Sequence, residues 1–464
     1  MPHSEQTLSD RTVDAFRQQV RGTVLRPGDD GYDEARSVWN AMIDRRPALV
    51  VRPTGAADVV RAVDFAREHA MLVSVKGGGH HIAGNAVCDD GVMIDCSELT
   101  DVRVDPVART ARVAAGATLG DVDHETGAFG LVSPGGVVST TGVAGLTLGG
   151  GFGWLSPKHG LAIDNLRSVD LITAAGDLVH ASESENADLF WGLRGGGGNF
   201  GVVTSFEFDL HEVGRDVLFG PVVYRYADAP DVLGNYREFV ADAPRECCVW
   251  VDSLSAPPLP FIPDEYHGTT VLSVVLFYAG DLDEGASVLA PLREYGDPIA
   301  DAVGPVAYPT AQRTFDDLYA AGMRNYWTSA NFLELSDDVI DAIVTLAERK
   351  PTQASDLLVH QVGGAINDVE PDATAYPHRD VQFIVSPGAR WENPVDDDRC
   401  LGWIRECRDA LAASATGGTY VNFVAEREGR EQAAYGDNYE RLVEIKSRWD
   451  PDNLFRGSQN VTPA

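Results

Sequence analysis

The run VKGGGHHIAG at 75–84 restricts the fold more than any other stretch of this chain. Leu72, Val73 and Val75 close an apolar run of β character, and three glycines follow at once. Gly77, Gly78 and Gly79 have no side chains to hold a ligand away, so their amides can approach a phosphate. His80 then offers an imidazole that is neutral and nucleophilic near pH 7. By itself the triplet also reads as a tight turn followed by a histidine, and the choice falls to the rest of the chain.

The elements around it alternate. Residues 48–53 read as a short strand stopped by Pro53, and Asp58 as the cap of a helix with apolar Val59, Val60, Ala62, Val63, Phe65 and Ala66. Strand, helix and strand in quick succession predict an α/β layer. Strands at 91–96, 102–105 and 110–113 suggest an antiparallel meander, and 116–122 starts a helix. Glycine is then dense from Pro134-Gly135-Gly136 to Gly153, interleaved with Val137, Val138, Val143, Leu146, Leu148, Phe152 and Trp154. Such a segment is backbone pressed against something flat or bulky. Gly196, Gly198 and Gly201 match a dinucleotide fingerprint, but that loop should open a helix, and 202–208 continues as a strand. A nicotinamide site is therefore excluded there.

From about 213 to 417 glycine thins. Strand-like runs at 269–277, 357–361 and 381–385 alternate with amphipathic helices at 286–295, 337–350 and 401–413, which predicts an antiparallel sheet backed by helices. Residues 419–424 read as a last strand and 435–448 as a last helix. The fold class is α+β, with segments 1–210, 211–417 and 418–464.

Charge narrows the partners. Asp and Glu total 70 against 37 Lys and Arg, a net charge of −33, and only Lys76, Lys158, Lys350 and Lys446 are lysines. That surface repels nucleic acid and anionic lipid, and its composition suggests adaptation to high salt. The N-terminal residues lack a secretory pattern, and no apolar run approaches a membrane span. Cys88, Cys96, Cys247, Cys248, Cys400 and Cys407 form no CxxC, which points to free thiols in a reducing cytoplasm and to no metal framework. A monomer or homodimer is expected.

Five motifs stand in order: VKGGGHHIAG at 75–84, SPGGVVSTTGVAGLTLGGGFGWLSPKHGLAIDNL at 133–166, DLFWGLRGGGGNFGVVT at 188–204, YVNF at 420–423 and AAYGDNYERLVEIKSRWDPDNLFRGSQN at 433–460. Together they resemble the berberine-bridge-enzyme-like flavoprotein oxidases, a branch of the vanillyl-alcohol-oxidase family, over nearly the whole chain. The resemblance implies a two-part FAD-binding domain of the PCMH type, 1–210 with 418–464, and a substrate domain, 211–417, over the flavin ring. It implies that His80 bonds the 8α-methyl of FAD and that His81 makes a contact. Lys76, Gly77, Gly78, Gly79 and Ala83 match the pyrophosphate side of the cofactor. Pro134, Gly142, Gly145, Leu148 and Val202 match its lining, Tyr420 and Asn422 the pair beside the ring, and Asn460 the terminal asparagine. The position of a second, cysteinyl bond in some relatives is Val138, so one covalent link is expected. The fourth position of the Y-x-N-Y motif, a base in sugar-oxidising members, is Phe423, which cannot take a proton.

The expected reaction is oxidation of a C–H next to a hydroxyl, with hydride going to flavin and O2 reoxidising it. Tyr420 is the first candidate for the proton acceptor. His378 and Asp380 are further candidates, since strand alternation would put them on one face with Tyr376. The pair His360-Gln361 is a second polar cluster, and Tyr326-Trp327 reads as an aromatic wall or as core. Each polar group is equally open to a structural reading. Oxidation of amines or alkaloid-like compounds, a flavin dehydrogenase using another acceptor, and a flavin carrier without turnover remain as alternatives.

Overall fold

The glycine triplet lies at the end of a parallel strand. The computed structural model describes residues 8–425, 429–456 and 459–464. In it Val73–Lys76 pairs in parallel with Val92–Asp95, which pairs in parallel with Leu49–Arg52, and Thr23–Leu25 adds an antiparallel edge. The helix Ala56–Glu68 links Leu49–Arg52 to Val73–Lys76 and buries Val59, Ala62, Val63 and Ala66. Asp58 lies inside its first turn and is not its cap. Its carboxylate instead accepts from the amides of Arg21, Gly22 and Thr54, tying the preceding loop to the helix start.

A second, five-stranded sheet is wholly antiparallel, in the order Val102–Asp105, Thr110–Ala114, Val202–Asp209, Leu166–Ile172 and Leu178–Ser182. Both sheets feed one core, which also takes in Val421, Ala434, Tyr435, Leu442, Ile445, Phe455 and Val461 from the end of the chain. Burial of those side chains brings the C-terminal segment back onto the first lobe. Phe455 bridges in parallel to Val73, beside the strand that carries the glycines.

The middle of the chain builds a nine-stranded sheet, with Val217–Arg225, Thr270–Tyr278, Cys247–Ser255, Asp356–Gln361 and Phe383–Trp391 adjacent and antiparallel. The helices Ala229–Ala241, Leu282–Arg293, Asp337–Glu348 and Asp397–Leu411 add their buried residues to its own core. A third cluster, containing Phe152, Trp154, Trp250, Phe277, Tyr376 and Tyr420, joins side chains from all three segments.

Two predicted elements fold differently. Residues 419–424 form a 3₁₀ turn, Val421–Phe423, because the Phe423 amide closes back on the Tyr420 carbonyl at 2.9 Å. The expected helix at 435–448 is broken: Glu431–Tyr435 and Tyr439–Trp449 are joined by a 3₁₀ turn, with Gly436 at φ +50°.

Candidate active site

The two lobes enclose a cavity of about 310 Å3. Its floor is glycine. Gly77, Gly78 and Gly79 come from the loop after Val73–Lys76, and Gly142 and Gly145 from the helix Val143–Leu148 and its cap. Gly78 and Gly142 meet backbone to backbone: a Cβ on Gly78 would lie 2.3 Å from the Gly142 nitrogen. Gly145 and Gly198 are the converse case, since a Cβ on either would meet nothing within 4 Å. Missing side chains there leave room for a flat group. The 196–201 loop therefore serves as cavity wall, with Gly197, Gly198 and Gly201 on it and the strand Val202–Asp209 after it.

His80 and His81 stand at one end. The His80 ring stacks on Trp39 with centroids 5.5 Å apart, and its Nε2 lies 3.2 Å from Thr140 Oγ1. Burial pushes the imidazole down to about 4, so it stays neutral and keeps its nucleophilic lone pair at neutral pH. From Trp39 an aromatic chain runs through Trp327 (5.6 Å) to Phe423 (5.8 Å) and Tyr420 (5.0 Å). Phe152 packs on Tyr420 at 4.8 Å. Val138 is also on the wall.

Tyr420 brings a buried phenol to the cavity. Its phenolic oxygen receives two N–H bonds, from the Gly151 amide at 3.0 Å and from Asn422 Nδ2 at 2.9 Å. Asn422 also donates to the Leu146 carbonyl at 3.0 Å, which fixes its orientation. Burial raises the phenol to about 12, against the two donors, which favour the phenolate.

The roof comes from the nine-stranded sheet. Asp356, Leu358 and His360 on one strand, and Ser386 and Gly388 on the next, all border the cavity at the two-residue spacing of one sheet face. Trp250 lies directly opposite His360. Asp356 is held by Arg390 at 3.1 Å and by the Tyr319 hydroxyl at 3.1 Å.

Several expected contacts are not on this surface. Lys76 turns away, donating to the Ala35 carbonyl at 3.0 Å and lying 3.7 Å from Asp95. Ala83 is buried behind the loop, where Arg45 takes its carbonyl. Val202 faces the core, and its neighbour Val203 lines the cavity instead, as strand alternation requires. Pro134 and Asn460 are absent from the lining, and Asn460 donates to Thr462.

His378 and Asp380 are a correction as well. Residues 375–382 form no strand, because Pro377 interrupts the run and the Arg379 amide folds back onto the Pro377 carbonyl. His378 Nε2 is spent on the carbonyls of Ala433 and Ala434, at 3.0 and 3.1 Å, and Asp380 is exposed. Neither borders the cavity. Tyr326 likewise packs with the sheet core, whereas Trp327 is wall. Sequence reasoning missed Trp39, Asn85, Phe152 as a ring contact, Trp250, Tyr319 and Ser386. Their only signal is residue type, without spacing.

The residues present fit a flavin. The glycine floor would take a flat group, the neutral His80 stands at its edge, and Asn85 Oδ1 on the wall is buried with no partner among the described residues. Comparison with known proteins agrees. Residues 47–182 match the family described as FAD binding domain, and 419–462 the one described as berberine and berberine like. An FAD-linked oxidoreductase of Dictyostelium discoideum is 30% identical, with 100% of this chain and 99% of the relative aligned. A chitooligosaccharide oxidase of Gibberella zeae is 27% identical over 97% of this chain and 94% of the relative. The crystal structure of 6-hydroxy-D-nicotine oxidase from Arthrobacter nicotinovorans superposes with a TM-score of 0.87 at 27% identity, covering 96% of this chain and 98% of that one. The chain belongs to the berberine-bridge-enzyme-like family of FAD-linked oxidoreductases. It is an FAD-dependent enzyme.

Proposed function

We propose that this enzyme is an oxidase of an alcohol or sugar, with O2 as the final acceptor and FAD held by a single covalent bond through His80. Bound FAD supplies the hydride acceptor. Gly77, Gly78, Gly79, Gly142, Gly145, Leu148 and His81 hold the cofactor, with Asn422 and Tyr420 at the reacting end. The substrate lies between that end and the wall of Trp250, Trp327, Phe152 and Phe423. Tyr420, as the phenolate, takes the hydroxyl proton and becomes the neutral phenol, and the Gly151 and Asn422 N–H groups stabilise the negative charge that its oxygen carries before the transfer. Those two donors on a buried phenol at the cavity are the observation that carries the reading. The valine at 138 in place of a cysteine supports one link rather than two.

The division into 1–210 with 418–464 against 211–417 is supported by the two separate cores. No helix among the described residues is long and apolar enough to cross a membrane. Six buried, unpaired cysteines support a cytoplasmic setting, and the charge of −33 supports adaptation to salt.

Oxidation of an amine is a second reading. Phe423 favours it, because no second hydroxyl stands at that position and a neutral amine needs no base. One experiment separates the two. Alcohols, sugars and amines are added anaerobically and the flavin absorbance is followed, in the wild type and in Tyr420→Phe. Bleaching by an alcohol, slowed at least 100-fold in the variant, is expected. Bleaching by amines alone, at equal rates in both, would support the second reading.

A further inference from the structure

On the roof, His360 is buried and keeps at the cavity a ring nitrogen that can accept a hydrogen bond, whereas the unpartnered indole nitrogens of Trp250 and Trp327 can only donate one. Its Nε2 lies 3.0 Å from Ser386 Oγ, and its Nδ1 is buried with no partner among the described residues. An unmet polar atom of this kind is uncommon in a folded protein and marks a place where something else completes the bond. The surroundings are rigid and aromatic: Trp250 at 4.4 Å, Phe152 at 5.4 Å and Phe423 at 5.8 Å between ring centroids. Ser386 sits two residues along the next strand from Ile384, the residue facing His360, so both project from one face.

We propose that His360, oriented by Ser386, is a specificity-determining residue that accepts a hydrogen bond from a second hydroxyl of the substrate. The inference rests on the alcohol reading above. In the tautomer whose Nε2–H donates to Ser386 Oγ, which the proposal requires, Nδ1 carries the lone pair and calls for a donor. Tyr420 holds the reacting hydroxyl, and Phe152 and Phe423 each touch both its ring and the His360 ring. The two polar groups therefore face one substrate along a shared aromatic wall. A diol or polyol satisfies both, and an alcohol whose second oxygen is capped leaves Nδ1 unmet. Burial supports this geometry, since it holds the imidazole at about 3 and so neutral through the working range.

The test uses the flavin-loaded full chain. Probes are 1,2-, 1,3- and 1,4-cyclohexanediol and the monomethyl ether of each, and Kd is read from the shift in flavin absorbance. At least one diol should bind ten times or more tightly than its ether, with the ratio flat from pH 5 to 9. In His360→Phe that ratio should fall below three. Ser386→Ala should lower it in part, and His360→Gln, which keeps an acceptor, should restore part of it. Retained flavin absorbance and melting temperature show that each variant is folded. The assignment is overturned if no diol outbinds its ether, or if the preference survives in His360→Phe. Flavin reduction by the same probes is recorded separately. A diol preference without reduction would count against alcohol oxidation while leaving the His360 contact standing.

Discussion

A phenol raised to about 12 is a scarce base at neutral pH, and Tyr420 therefore sets a sign on the pH dependence. Below that value the phenolate fraction rises tenfold per pH unit. The rate constant for flavin reduction by an alcohol should climb through the alkaline range without a plateau below pH 10. Asn422 donates one of the two bonds that favour the phenolate. A hydrogen bond to a charged group contributes about 1.5–3 kcal/mol, so Asn422→Ala should slow reduction at fixed pH by roughly 10- to 150-fold. Stopped-flow reduction across pH 6–10 checks both; a pH-independent rate would remove Tyr420 as the acceptor. At this scale the sequence was legible where chemistry is tied to glycine, as at Gly78 and Gly142, whose backbones touch. It was not legible on the roof. The strand Phe383–Trp391 is buried at every position, so no polar alternation marks Ser386 as facing a cavity.

Among the elements, the returning C-terminal helix Tyr439–Trp449 carries a fully buried ion pair. Lys446 donates to Asp450 at 2.6 Å, to the Phe455 carbonyl at 2.6 Å and to the Asn199 carbonyl at 2.7 Å. Asn199 belongs to the loop whose Gly197 and Gly198 form the cavity wall. Lys446→Met would strand Asp450 without its cation, a loss of about 3–5 kcal/mol for a broken buried pair. The thermal midpoint should fall and the flavin content with it; an unchanged midpoint would show that the helix is held by its apolar face alone. The helix was readable from the apolar spacing of Leu442 and Ile445, and no local pattern marks Lys446 as buried. The strands of the first lobe were equally readable from β-branched runs between turns. The runs at 375–380 and 419–424 misled because Pro377 and the Tyr420–Phe423 turn override composition that suits a strand.

For the molecule as a whole, two cores share a cavity, and the surface carries a net charge of −33. Self-repulsion on that surface should weaken as salt screens it, so the melting temperature should rise with KCl from 0.1 to 2 M. A flat curve would contradict salt adaptation. The change from a glycine-dense first segment to a glycine-thin middle was visible in the sequence. The roof of the cavity was not, since it forms only when strands about 110 residues apart, those of Trp250 and His360, pair. The proposed bond between flavin and His80 is open to one direct measurement: the intact mass of the denatured chain from yellow protein. The expected mass is that of the polypeptide plus one FAD, and of the bare polypeptide in His80→Ala. An unmodified wild-type chain, or an adduct that persists in His80→Ala, would contradict the bond.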